Sequence, residues 1–235
     1  MKKRKGIKHI LIILLVFLLV CFGAFFVYAS NYYRAEINES DFQQALEDVT
    51  IRTQGDYTIV SPKEDSEVGF IFYPGGKVDE TAYLPLLQDL AKEGITCVLV
   101  KMPFHLAVFG VNKADEVYQL LPEVNQWYIG GHSLGGAMAS SYALKHEEAL
   151  SGVVLLGAYA SGEHKIPVIT IYGSKDEVVN KDKLLTSPNR KEIEGGNHAY
   201  YGNYGEQKGD GDATITRDEQ QRISVSLIKD FISNQ

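Results

Sequence analysis

Trp127-Tyr128-Ile129-Gly130-Gly131-His132-Ser133-Leu134-Gly135-Gly136-Ala137-Met138-Ala139 is the stretch on which the fold turns. Its aromatic and β-branched start reads as a strand and its small-residue end as a helix. Between them, Gly131-His132-Ser133-Leu134-Gly135 fits G-x-S-x-G. A strand that reverses this sharply into a helix holds the serine in a strained conformation, with its hydroxyl projecting from the sheet. Glycines are needed two residues to either side, where a side chain would collide with strand or helix. The helix N-terminus also aims free N–H groups and the positive end of its dipole at an anion developing beside the serine.

Working outward, strand-like runs at Tyr57–Ser61, Val68–Tyr73, Ile95–Lys101, Trp127–Gly130, Gly152–Leu156 and Val168–Tyr172 alternate with amphipathic or small-residue helical stretches. This alternation predicts an α/β fold, a mostly parallel sheet with helices on both faces. The apolar run Ile95-Thr96-Cys97-Val98-Leu99-Val100 suits a strand buried on both sides, which makes Cys97 a core residue.

Serine is a poor nucleophile until a base takes its proton and a carboxylate orients that base; the expected chain order is serine, acid, histidine. Gly173-Ser174-Lys175-Asp176 follows the strand Val168–Tyr172 and puts Asp176 at a strand's C-terminal end, the edge where open α/β sheets gather their ligands. Lys191-Glu192-Ile193-Glu194 reads as a short last strand, and Gly195-Gly196-Asn197-His198 as the flexible loop that carries the base. Ser133, Asp176 and His198 are therefore the candidate catalytic residues, with Glu177 and Asp182 as fallback acids. Candidate oxyanion donors are the N–H groups of Leu134 and of Gly76 in Tyr73-Pro74-Gly75-Gly76-Lys77, Lys77 being the second choice in that loop. Lys77, His132, Tyr200 and Tyr201 are candidate substrate-binding residues. The tyrosines after His198 either line an acyl or aromatic pocket or pack beneath the loop.

These four segments together resemble the α/β-hydrolase family, in particular its small, lidless, dienelactone-hydrolase-like members, over about residues 55–235. The resemblance implies a serine hydrolase that cleaves a carboxylic ester, thioester or amide through an acyl-enzyme, with no cofactor and no metal. Ser133 stands where dienelactone hydrolases proper usually carry cysteine, so their lactone substrate is not carried over. An acyltransferase with the same triad, or a catalytically silent binding module on the same fold, are the alternatives.

Asp210-Gly211-Asp212-Ala213-Thr214-Ile215 approximates an EF-hand loop only if Lys208 takes the first ligand position and Ala213 the glycine position, which disfavours calcium. Thr216 and Glu219 instead fit a capping box opening the last helix.

With 45% apolar and 23% charged residues, the 235-residue chain has the make-up of one globular domain, and its two cysteines build no disulfide scaffold. A net charge of −7 argues against nucleic acid as a partner. The charge is uneven: Lys2, Lys3, Arg4, Lys5 and Lys8 precede 20 uncharged residues, Ile10–Ala29, long enough to cross a bilayer as a helix. The expected layout is a cytoplasmic basic tail (1–9), a transmembrane anchor or signal peptide (10–29), a polar linker (30–54) with a short helix near Asp41 to Asp48, and the catalytic domain (55–235). The positive-inside rule places that domain outside the cytoplasm, attached to the cell membrane by a single span or secreted after signal cleavage. Its partner is then a small-molecule acyl substrate, and the membrane through the N-terminal helix.

Overall fold

The computed structural model describes residues 2–37 and 48–235. The helix expected near Asp41 to Asp48 falls mainly outside the described residues. The chain divides into two compact units, residues 1–32 and 33–235. The first is the single helix α1 (Lys2–Ser30), whose stretch Lys8–Ser30 reaches a mean hydropathy of 3.3 and leaves its apolar side chains exposed.

The second unit starts earlier than the boundary at 55 expected from sequence. The Tyr33 N–H donates to the Lys77 carbonyl and its own carbonyl accepts from Asp79 N–H, both at 2.8 Å. Only Asn31 and Tyr32 separate α1 from this bonded residue. The sheet also begins with β1 (Val49–Gln54), inside the expected linker, and β1 forms a hairpin with β2 (Tyr57–Pro62) across Gly55, whose φ of 58° suits glycine. Thr50, Arg52, Thr53 and Gln54 made this edge strand look like linker; only Val49 is buried.

The remaining strands are β3 (Val68–Tyr73), β4 (Thr96–Val100), β5 (Gln126–His132), β6 (Gly152–Leu156), β7 (Val168–Gly173) and β8 (Arg190–Ile193). Their order is β1-β2-β4-β3-β5-β6-β7-β8; β1 and β2 pair antiparallel and the other neighbours pair parallel from β4 onward. The helices are α2 (Leu84–Lys92), α3 (Ala114–Leu120), α4 (Leu134–Ala143), α5 (Lys181–Leu184) and α6 (Arg217–Ser233). Alternation along β3 splits the core in two. Phe70 and Phe72 pack with Leu86, Leu87 and Leu90 of α2 and Ile228 and Phe231 of α6. Ile71 and Tyr73 face the other way, toward Val117 of α3 and Tyr142 of α4. The chain runs outward from β3 to β4 on one side and to β5 on the other, and the crevice at the C-terminal ends of strands flanking such a reversal is where open α/β sheets bind ligands.

Candidate active site

Ser133 stands between β5 and α4 with φ 51° and ψ −121°, a conformation that costs a non-glycine residue energy and persists only where its surroundings enforce it. Those surroundings are explicit. The Ser133 N–H donates to the Leu156 carbonyl of β6 at 2.9 Å, and a Cβ added at Gly131 or Gly135 would strike the Tyr73 carbonyl oxygen. Gly135 would also strike the Pro74 carbonyl oxygen, so the helix reaches the loop after β3 only because that position is glycine.

Asp176 and His198 come together although 22 positions apart, in the loops after β7 and β8. His198 Nδ1 lies 2.8 Å from Asp176 Oδ2, while Asp176 Oδ1 accepts the N–H groups of Val178 and Val179, each at 2.9 Å. A carboxylate whose acceptors are used this way takes a proton-bearing Nδ1, which leaves the lone pair of the neutral imidazole on Nε2. That Nε2 is buried and has no hydrogen-bond partner among the described residues. Glu177, the fallback acid, donates its N–H to Asp210 at 3.4 Å. Asp182 sits in the first turn of α5, which Asn180 caps in its stead by accepting the Lys183 N–H at 3.0 Å.

The loop that carries His198 is held by residues that the sequence did not single out for this role. Asp210 accepts the N–H groups of His198 (3.1 Å) and Gly211 (2.9 Å) on Oδ1 and of Ala199 (2.8 Å) on Oδ2. This carboxylate, set in a would-be calcium loop, is occupied by backbone amides. Gln220 of α6 exchanges two hydrogen bonds with the Asn197 backbone, at 2.9 and 2.8 Å. The linkages to residues 197–199 span 11 to 23 positions, and no local motif announces them.

In the loop after β3, the Lys77 N–H donates to the His105 carbonyl at 2.7 Å and the Gly75 N–H to the Tyr83 hydroxyl at 3.0 Å. Gly76 lies between them against the elbow, where an added Cβ would stand 2.8 Å from Leu134 Cδ2. Of the two candidates in this loop, Lys77 therefore has its amide engaged, whereas the Gly76 and Leu134 N–H groups have no acceptor among the described residues. Of the expected substrate contacts, Lys77 and Tyr200 are partly exposed, with the Arg217 guanidinium over the Tyr200 ring at 5.2 Å. His132 and Tyr201 are 1% and 0% exposed and pack beneath the loop instead, because the aromatic cluster with Tyr83 and Tyr204 buries both rings.

A second serine–histidine–carboxylate set needs to be told apart from this one. Ser140 accepts the Ser161 N–H at 2.9 Å and pairs with His164 Nε2 at 2.8 Å, and His164 Nδ1 lies 3.6 Å from Glu147. Ser140 is fully buried in α4, so this set pins the loop after β6 and offers no attacking hydroxyl. A cavity of about 590 Å³ opens beside it, lined by Ala160, Glu163, His164, Thr186 and Pro188, and none of Ser133, Asp176 and His198 lines it.

A model of the alpha/beta hydrolase family matches residues 69–222, more than half of the chain. The chain belongs to the alpha/beta hydrolase family. It is similar to a proline iminopeptidase of Thermoplasma volcanium, 29% identical over 129 residues, a match covering 49% of this chain and 43% of that protein. Among solved structures, dienelactone hydrolase from Anabaena variabilis shares the fold with a TM-score of 0.57 at 16% identity, covering 79% of this chain and 96% of that one. Est1E from Butyrivibrio proteoclasticus does so with a TM-score of 0.57 at 14% identity, covering 79% and 99%. In this alpha/beta hydrolase the elbow, the Asp176–His198 pair and the Gly75–Gly76 loop meet at one sheet edge.

Proposed function

We propose that the protein is a serine hydrolase that cleaves a carboxylic ester, with thioesters and amides as neighbouring substrates. Ser133 Oγ attacks the carbonyl carbon while His198 Nε2 takes its proton, Asp176 holds the resulting imidazolium, and the Gly76 and Leu134 N–H groups receive the oxyanion. His198 then gives the proton to the departing alkoxide, and water resolves the acyl-enzyme by the same route. One observation carries the reading: in the 2.8 Å Asp176–His198 pair, the far nitrogen Nε2 has no partner among the described residues, on a ring 4.5 Å from that of His132, the residue before Ser133.

Chromogenic esters of graded acyl length, offered to the full chain in detergent, test it together with a fluorophosphonate label. Hydrolysis and labelling are expected in the parent and neither in Ser133→Ala. Labelling that persists in the variant would place the nucleophile elsewhere. The partial match to a proline iminopeptidase puts N-terminal prolyl amides in the same panel. Added alcohols or amines distinguish an acyltransferase by its products.

We further propose that α1 is retained as a single-pass anchor with the hydrolase unit outside the cytoplasm. The uncharged run Ile10–Ala29 and the five cations ahead of it support that direction.

A further inference from the structure

His132 occupies the variable position of the elbow, yet it stands between two parts of the apparatus of the reading above, on which this inference rests: the Gly75–Gly76 loop and the ring of His198. On one side, its Nδ1 lies 2.8 Å from the Tyr83 hydroxyl. That hydroxyl already accepts the Gly75 N–H at 3.0 Å, and a phenol has one hydrogen to give. The Tyr83 O–H has no other acceptor among the described residues, so we assign it as the donor to Nδ1, which puts the His132 proton on Nε2. Burial raises the Tyr83 phenol above its ordinary range, which keeps this donor protonated. The loop backbone rests directly on the pair, since a Cβ at Gly75 would lie 2.6 Å from the Tyr83 oxygen and 2.8 Å from His132 Nδ1.

On the other side, the His132 ring stands 4.5 Å from the His198 ring at 49° and 5.4 Å from Tyr201. Burial first, and the neighbouring His198 second, hold its pKa well below the ordinary imidazole value. Its neutrality has a purpose in this geometry. When His198 accepts the serine proton it becomes a cation, and a charged ring 4.5 Å away would oppose that step. A neutral ring of fixed tautomer supports it.

We propose that His132 is a positioning residue: with Tyr83 it locks the Gly75–Gly76 oxyanion loop to the base His198, so that donor and base keep one spacing through the reaction. The two loops have a second tie, from the Asn203 N–H to the Ala82 carbonyl at 2.8 Å, which allows the fold to survive loss of the first.

The test uses the full chain in detergent, with active sites titrated by fluorophosphonate. The Ser133→Ala control in the parent background decides the underlying reading separately. Tyr83→Phe and His132→Leu are each expected to lower kcat per titrated site about tenfold to hundredfold, the range for an unpaired buried polar group, with KM within about twofold. The double variant should be no worse than His132→Leu alone, because the two side chains act as one unit. His132→Gln, which can still accept from Tyr83, should recover most of the loss. A role in packing alone would lower the unfolding midpoint and leave kcat per site unchanged. Values of kcat within twofold of the parent in Tyr83→Phe, or no recovery in His132→Gln, would overturn the proposal.

Discussion

Asp176 is fully buried and spends its acceptors on two loop amides and on His198, so an amide side chain cannot replace it without turning an N–H toward another N–H. Asp176→Asn is therefore expected to cost about 10³- to 10⁴-fold in kcat, with a smaller change in KM, measured on the best ester of the panel. Activity close to the parent would move the acid role to another carboxylate. Asp210 works one step further out, through the backbone of His198 and Ala199. Asp210→Ala leaves those N–H groups without their acceptor and should cost about 1–3 kcal/mol in urea unfolding, together with kcat. Loss of activity with no loss of stability would mean that Asp210 touches the reaction itself.

At the scale of elements, the fold was legible where hydrophobicity runs continuously or a turn has strict steric demands. Gly152–Leu156 was read to its exact bounds, and the elbow was placed by glycines whose neighbours leave no room for a methyl group. Gly135→Ala should accordingly destabilise the enzyme by at least about 1–3 kcal/mol, seen as a lower urea midpoint or loss of soluble protein. The N-cap of the expected capping box was equally readable: Thr216 accepts the Glu219 N–H at 3.2 Å at the head of α6. Thr216→Ala should lower stability by about 1 kcal/mol in the same assay. What escaped were elements whose burial depends on distant partners. β1 is a polar edge strand, Tyr83 reaches His132 across 49 positions, and Asp210 sits in a loop that reads from sequence as a plain polar connection to the last helix. Local pattern carries no signal for such pairings. Ser133, Asp176 and His198 were proposed from the elbow motif, the strand-end loops and the chain order together, because that chemistry limits which residue types can act and where along a sheet they stand.

For the molecule as a whole, buried histidines tie stability to pH. Burial holds both His132 and His164 below the ordinary imidazole value near 6.5, with Glu147 opposing part of the shift at His164. Below about pH 6.5 the unfolded chain binds protons that the folded chain refuses, so stability falls as pH drops, by up to about 1.4 kcal/mol per pH unit for each histidine. Urea unfolding followed through Trp127, the single tryptophan, should show a lower midpoint at pH 5.5 than at 7.5, and His132→Gln should flatten the difference. A midpoint independent of pH would contradict the burial of these rings. The other whole-molecule property is attachment. Lys2, Lys3, Arg4, Lys5 and Lys8 precede Ile10, whereas Arg34 is the one cation between Ala29 and Ile51, and all 30 acids follow Ala29. Under the proposed anchoring, that asymmetry would retain the N-terminus in the cytoplasm, the 20-residue uncharged run would span the hydrocarbon, and the acidic hydrolase unit would stand on the outer side. Membranes washed with alkaline carbonate should hold the full-length chain, and protease added to intact cells should remove the hydrolase unit. A soluble species beginning near Ser30 in the medium would instead establish a cleaved signal peptide.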